Sequence, residues 1–267
     1  MKLRVRLAAA VLWAALALGS ASGGQSVRLS LASPAADQLV EGRTYVIRWT
    51  GSGLQSVSIT AEGELTSRPG VPRGQFVLAI ADHLPAGAGG VSWQVPFLDT
   101  VRFQIRIRAY DNLGLLAAEE SRDYYFRPGI LANRHLDGIY VDLRSPEAQR
   151  LYVMRHNVVV RAYLASGSRT HRFLTKAQDS PEPHDHVGVF RVTEKFPLYW
   201  SNEYQVWMTH ALRIWRGHFI HGTYPSEYHL LGHPASSGCI RLDRRDAREL
   251  YDMTPIGTRV ELFGGPL

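Results

Sequence analysis

A mainly β fold in two successive units, the second carrying one main helix, is what the sequence predicts. Three observations point there. In "VRFQIRIRAY", Val101, Phe103, Ile105 and Ile107 alternate with Arg102, Gln104, Arg106 and Arg108, the period of a strand with one wet face. The turn clusters "TGSG", "RPGVPRG" and "PAGAGG" cut the first part of the chain into segments too short for helices. Convincing helical spacing occurs in one stretch, "DRRDARELYDM", where Asp243 is placed to cap and Ala247, Leu250 and Tyr251 share a face.

Taken in order, residues 1–21 begin with Lys2, Arg4 and Arg6, run apolar from Leu7 to Leu18, and end in small residues. That order is a secretory signal. The apolar run is shorter than the roughly 20 residues of a membrane span. The expectation is an exported protein of the periplasm or cell wall, with no stable membrane span after cleavage. Residues 25–127 read as a β-sandwich, with strands at Thr44 to Trp49, Ser56 to Thr60, Gln75 to Ala81, Val91 to Val95 and Val101 to Tyr110. Pro128 and Gly129 break the pattern, and 128–136 reads as a linker. Over 137–265, "GIYVDL", "RLYVM", "NVVVRAYLASG", "VFRVTEKF", "YQVWMTHALRIW", "HFIHG" and "TRVELF" read as strands around the one helix, with "TKAQDSPEPHDHVG" a polar loop.

The net charge of +6 includes the three leader cations, so the remainder is about +3, compatible with anionic wall polymers and little more. Arginines are scattered rather than clustered with aromatics, which argues against nucleic acid. Cys239 is the single cysteine of the 267 residues. It cannot form an internal disulfide, so it is a buried inert thiol, an intermolecular bridge or a reactive group.

A cysteine nucleophile needs a base or cation nearby. His221 ends the apolar strand "HFIHG", and Cys239 follows 18 residues later at the end of a loop. A histidine at one strand end and a cysteine on the next loop can meet across a β-scaffold. With His221 beside it, the thiol is expected to titrate below the ~8.5 of free cysteine. Gly238 lets main chain approach a substrate carbonyl, so the N–H groups of Ser237, Gly238 and Cys239 are candidate oxyanion donors.

The stretch "HGTYPSEYHLLGHPASSGCIRLDRRDARELYDMTPIGTRVEL" resembles the signature of YkuD-type L,D-transpeptidases, over about residues 137–263. His221-Gly222 matches the family's HG pair. Gly232, Pro234 and Ser236 match its G-x-P-x-S step, and Gly257, Thr258 and Val260 its closing strand. The resemblance implies an exported enzyme that cleaves a peptidoglycan stem tetrapeptide through a cysteine acyl-enzyme and joins it to an amine. It makes Cys239 the nucleophile and His221 the base and acid, with the Gly222 carbonyl orienting the ring. Arg241, Ser236, His210 and Met208 are candidate substrate contacts; Arg241 equally fits a structural arginine, and Met208 an apolar strand face. The chain departs from the family at Ser237, where a second histidine is usual, and at His186-Val187, where the family has "TP". Residues 27–126 resemble the immunoglobulin-like module of wall-associated proteins, on "SPAADQLVEGRTYVIRWTG", a Trp-containing strand and "FQIRIRAYD". That resemblance implies a spacer or wall-polymer-binding role.

Rival readings remain at this level. His184-Asp185-His186 and the His229/His233 pair have spacing that suits zinc, as in a zinc-dependent wall peptidase. Both clusters fall in polar loops, where imidazoles are more often solvated, so the expectation is no metal and no cofactor. Water in place of the amine would make the enzyme an L,D-carboxypeptidase. The order argues against a papain-like hydrolase, because no histidine follows Cys239. An inactive wall-binding module is the non-enzyme alternative.

Overall fold

The computed structural model describes residues 27–66 and 74–265; the leader read at 1–21 and most of "RPGVPRG" lie outside the described residues. The first unit contains β1 (Arg28–Ser33), β2 (Gln38–Val40), β3 (Thr44–Ser52), β4 (Ser56–Glu64), β5 (Gln75–Pro85), β6 (Gly90–Gln94), β7 (Arg102–Tyr110) and β8 (Leu116–Arg127). They form a three-stranded sheet, β1-β3-β6, and a five-stranded sheet, β2-β8-β7-β4-β5. Ile47, Trp49 and Trp93 from the first sheet pack with Val57, Ile59, Phe103, Ile105, Ile107 and Tyr124 from the second in one core. The alternation read in β7 is realised: Phe103, Ile105, Ile107 and Ala109 are buried. Its arginines form a charged ladder on the outer face, Arg106 and Arg108 each bridging Glu62 and Glu119.

The "TGSG" cluster ends its strand later than its composition suggests: Thr50, Gly51 and Ser52 still pair with Ser30, Leu29 and Arg28 of β1, and the chain turns at Gly53, φ +71°. A partner strand supplies hydrogen bonds that local turn chemistry alone does not reveal.

In the segment read as a linker, Gly129–Leu131 forms a 3-10 turn, and Leu131 is fully buried against Tyr140, Tyr152, Met154 and Val159. Polar ties join the units here, among them Arg127 donating to Asn157 Oδ1 at 2.9 Å. Glu41 accepts from the Gly129 amide at 2.8 Å, and Arg150 meets Asp99 at 3.3 Å with both side chains largely buried.

The second unit contains β9 (Gly138–Asp142), β10 (Arg150–Arg155), β11 (Val158–Leu164), β12 (Phe173–Leu174), β13 (Asp185–His186), β14 (Gly188–Arg191), β15 (Glu194–Ser201), β16 (Val206–Trp215), β17 (His218–Gly222), β18 (Ile240–Leu242), α1 (Arg244–Met253) and β19 (Arg259–Phe263). One sheet runs β11-β10-β9-β19-β14 and the other β15-β16-β17-β18, with β12 and β13 a separate parallel pair. Ile139, Val141, Leu151, Val153 and Val260 of the first sheet share a core with Leu212, Ile220, Ile240 and Leu242 of the second. Helix α1 contributes Ala247 and Leu250 to that core, and Asp243 caps it by accepting from the Asp246 amide at 2.7 Å. Among the described residues no helix is long and apolar enough to cross a membrane.

Candidate active site

Strands β17 and β18 run parallel, with Ile220 opposite Ile240 and His221 opposite Arg241. Side chains alternate across a sheet, so His221 shares a face with the chain position of Cys239, one diagonal step away. The sequence therefore places base and thiol on adjacent strand ends without requiring either to sit on a helix. Gly222 is needed for this close packing. A Cβ there would lie 2.5 Å from Thr209 Oγ1 and 3.1 Å from the Arg244 Cα at the start of α1.

His221 is buried, and its Nδ1 lies 3.1 Å from the Gly222 carbonyl. A carbonyl only accepts, so Nδ1 carries the hydrogen and Nε2 keeps a lone pair for an incoming proton. Burial pushes the imidazole down to about 4, against a smaller opposing effect of the Gly222 bond. The Cys239 thiol packs beside Met208, Phe219 and Tyr199, and donates weakly to the Gly217 carbonyl at 3.8 Å. Burial raises it to about 11, although a main-chain contact with Phe219 and the charge of Arg241 pull the other way. Burial therefore works against the expected titration below 8.5, because desolvation outweighs the neighbouring cation and favours the neutral form of both groups.

The loop before the cysteine is tightly specified. Gly238 has φ +121°, and a Cβ there would fall 2.6 Å from the His184 carbonyl. Ser236 is fully buried, and its Oγ accepts the Gly238 amide at 3.0 Å. That bond removes Gly238 from the expected oxyanion donors, because its N–H already has a partner. Ser237 Oγ accepts from Arg169 at 2.7 Å, a contact that sequence reading did not anticipate.

Arg241 binds Glu227 Oε1 and the Ala235 carbonyl, each at 3.2 Å, which are the contacts of a loop-bracing arginine. Met208 is buried next to the thiol, whereas His210, at φ +50°, has its ring edge-on to Tyr251 of α1. The loop read as polar does not leave its histidines solvated. His184, Asp185 and His186 are buried, because β13 pairs with β12 and packs beside Trp215 and His218. His229 and His233 are exposed and stand apart from this cluster. A concavity of about 800 Å³ lies elsewhere, between the two units, lined by Glu62, Arg106, Arg161 and Glu249.

The model of the L,D-transpeptidase catalytic domain, YkuD, matches residues 138–262. No curated protein matches the chain. Among solved structures, the chain is similar to an L,D-transpeptidase (Yku) from Stackebrandtia nassauensis, 21% identical over 51% of this chain and 61% of that one, TM-score 0.39. It is similar to another from Xylanimonas cellulosilytica, 26% identical over 49% and 62%, TM-score 0.39. A third, from Mycobacterium smegmatis, is 17% identical over 89% and 100%, TM-score 0.38. The chain spans about three fifths of the length of the first two.

Proposed function

From the premise that residues 138–262 form a YkuD L,D-transpeptidase catalytic domain, we propose that the protein is an exported transpeptidase that works through an acyl-enzyme on Cys239. The observation that carries this reading is the His221 ring, its Nδ1 held by the Gly222 carbonyl and its Nε2 left basic on the strand beside the thiol.

The substrate is a peptidoglycan stem tetrapeptide. As the sulfur attacks the carbonyl of the L-centred bond, its proton passes to His221 Nε2 and a C–S bond forms. The C–N bond to the terminal D-residue breaks, and the leaving amine takes the proton from His221. An amine of a second stem then attacks the thioester, passes a proton through His221 and returns the thiol. With burial favouring the neutral form of both groups, the proton transfer accompanies attack rather than preceding it. The main-chain amides of Ser237 and Cys239 are assigned to the developing oxyanion, with Gly238 excluded by its bond to Ser236. The first unit is assigned the immunoglobulin-like, wall-associating role, outside the chemistry.

Purified stem tetrapeptide fragments incubated with the protein should lose the terminal D-residue and gain cross-linked dimers by mass spectrometry. Cys239→Ala should abolish both products. His221→Ala should slow acylation by about a hundredfold or more, as for loss of a positioned base. Release of the D-residue without dimers would make water the acceptor, and turnover confined to pentapeptides would refute the assignment.

A further inference from the structure

Beside the thiol loop, three imidazoles converge that the chemistry above does not use. His184, His186 and His218 can each bring one ring nitrogen within 4.8 Å of the other two. The first two are buried and the third half-buried. They come from two separate parts of the chain, β13 with its leading residue and the start of β17.

The hydrogen bonds fix which nitrogens are available. Nδ1 of His184 lies 2.7 Å from the Glu182 carbonyl, Nδ1 of His186 3.2 Å from that of Thr175, and Nδ1 of His218 3.1 Å from that of Gly238. Carbonyls only accept, so all three Nδ1 atoms carry hydrogen, and all three Nε2 atoms are bare lone pairs in the neutral rings. Yet Nε2 of His184 and Nε2 of His186 face each other at 3.0 Å. Two lone pairs at that distance repel unless something electropositive joins them. A single proton can bridge one pair of nitrogens and leaves the third lone pair unmatched. One water offers two hydrogens to three acceptors. A metal ion satisfies all three. Two nitrogens bonded at 2.0–2.1 Å to a tetrahedral ion stand roughly 3.3 Å apart, close to the spacing of this pair. Backbone carbonyls on the opposite ring nitrogens are also the usual support of metal-bound imidazole.

We infer that His184, His186 and His218 form a three-histidine site for a divalent transition ion of the zinc class, leaving a tetrahedral ion one further position for water. The site bears on the thiol loop through one peptide. His218 holds the Gly238 carbonyl, and in a planar trans peptide that fixes the Cys239 amide pointing the opposite way. A metal on Nε2 makes Nδ1–H a stronger donor, so the ion braces the peptide that precedes the nucleophile. This site rests on the imidazoles alone, so a silent stem-peptide assay leaves it standing.

The test is direct. The full chain, stripped with chelator, is titrated with zinc by calorimetry and with cobalt(II) by visible absorption. One equivalent should bind, with the intense d–d bands of tetrahedral cobalt and no thiolate charge-transfer band, identically in Cys239→Ser. His186→Ala and His218→Ala should each weaken uptake by at least about tenfold, the loss that even outer-sphere changes produce. The wild-type titration needs no variant to fold. Absence of uptake by wild type overturns the proposal, as does uptake unchanged in both histidine variants or abolished by Cys239→Ser.

Discussion

At the scale of single residues, the site is a balance between burial and hydrogen bonding. The thiol sits at about 11 and the imidazole at about 4, both displaced chiefly by desolvation. A small neutral alkylating reagent, which requires the thiolate and offers no proton relay, should therefore react with Cys239 at a rate that climbs tenfold per pH unit past 8.5. The sign follows from the raised thiol: below about 11 the protonated form dominates, so each added unit multiplies the reactive fraction. A rate plateau beginning below pH 7 would show a preformed ion pair instead. The two serines before the cysteine should separate cleanly. Ser237→Ala frees only a surface contact with Arg169 and should leave acylation within about tenfold, or 1.4 kcal/mol. Ser236→Ala strands the buried Gly238 amide, a loss of about 1–3 kcal/mol in stability, and should cut acylation further than its neighbour does. Equal effects in the two variants, read from acylation rates and unfolding midpoints, would contradict this division.

At the scale of elements, α1 is short, and much of its hold on β16 and β17 comes from Ala247 and Leu250. Its N-terminus depends on the buried Asp243 carboxylate accepting the Asp246 amide. Asp243→Ala should cost roughly 0.5–2 kcal/mol, seen as a lower thermal midpoint, with the cysteine still present and accessible to reagent. This helix was legible because capping and spacing are local. So were β7, β9, β10 and β19, whose apolar residues announce a buried face. Strand β8 was not, because Glu119, Glu120, Arg122 and Asp123 fill its middle and only Tyr124 and Phe126 mark burial. Its charges make sense only opposite the β7 arginines, which pair with Glu119 and Asp123. The thiol and His221 were readable from a motif of adjacent residues. The seating of His184 and His186 was not, since a polar loop becomes interior only when Trp215 and His218 close over it. Likewise nothing local in "SSGC" says that Ser236 consumes the Gly238 amide.

At the scale of the whole molecule, the junction between units is part of the second core. Leu131 is fully buried against Tyr140 and Met154, so a fragment beginning at Asn133 should be less stable than one beginning at Phe126 by about 2–5 kcal/mol, the range for emptying a buried leucine site. Denaturant unfolding of the two fragments measures this directly, and equal midpoints would show that Leu131 is dispensable. The sheet behind this junction has a further property, visible in its strand order. β19 lies between β9 and β14, parallel to one and antiparallel to the other. A chain synthesised from its N-terminus thus makes this interior strand after all the others of the sheet. Until residues 259–263 exist, β9 has a bare edge and Ile139 lacks its neighbour Val260. Cys239 and His221 are translated earlier, but the core that holds their strands is incomplete until then. The strands that carry the nucleophile and its base thus complete their shared core only once β19 is inserted between two strands made before it.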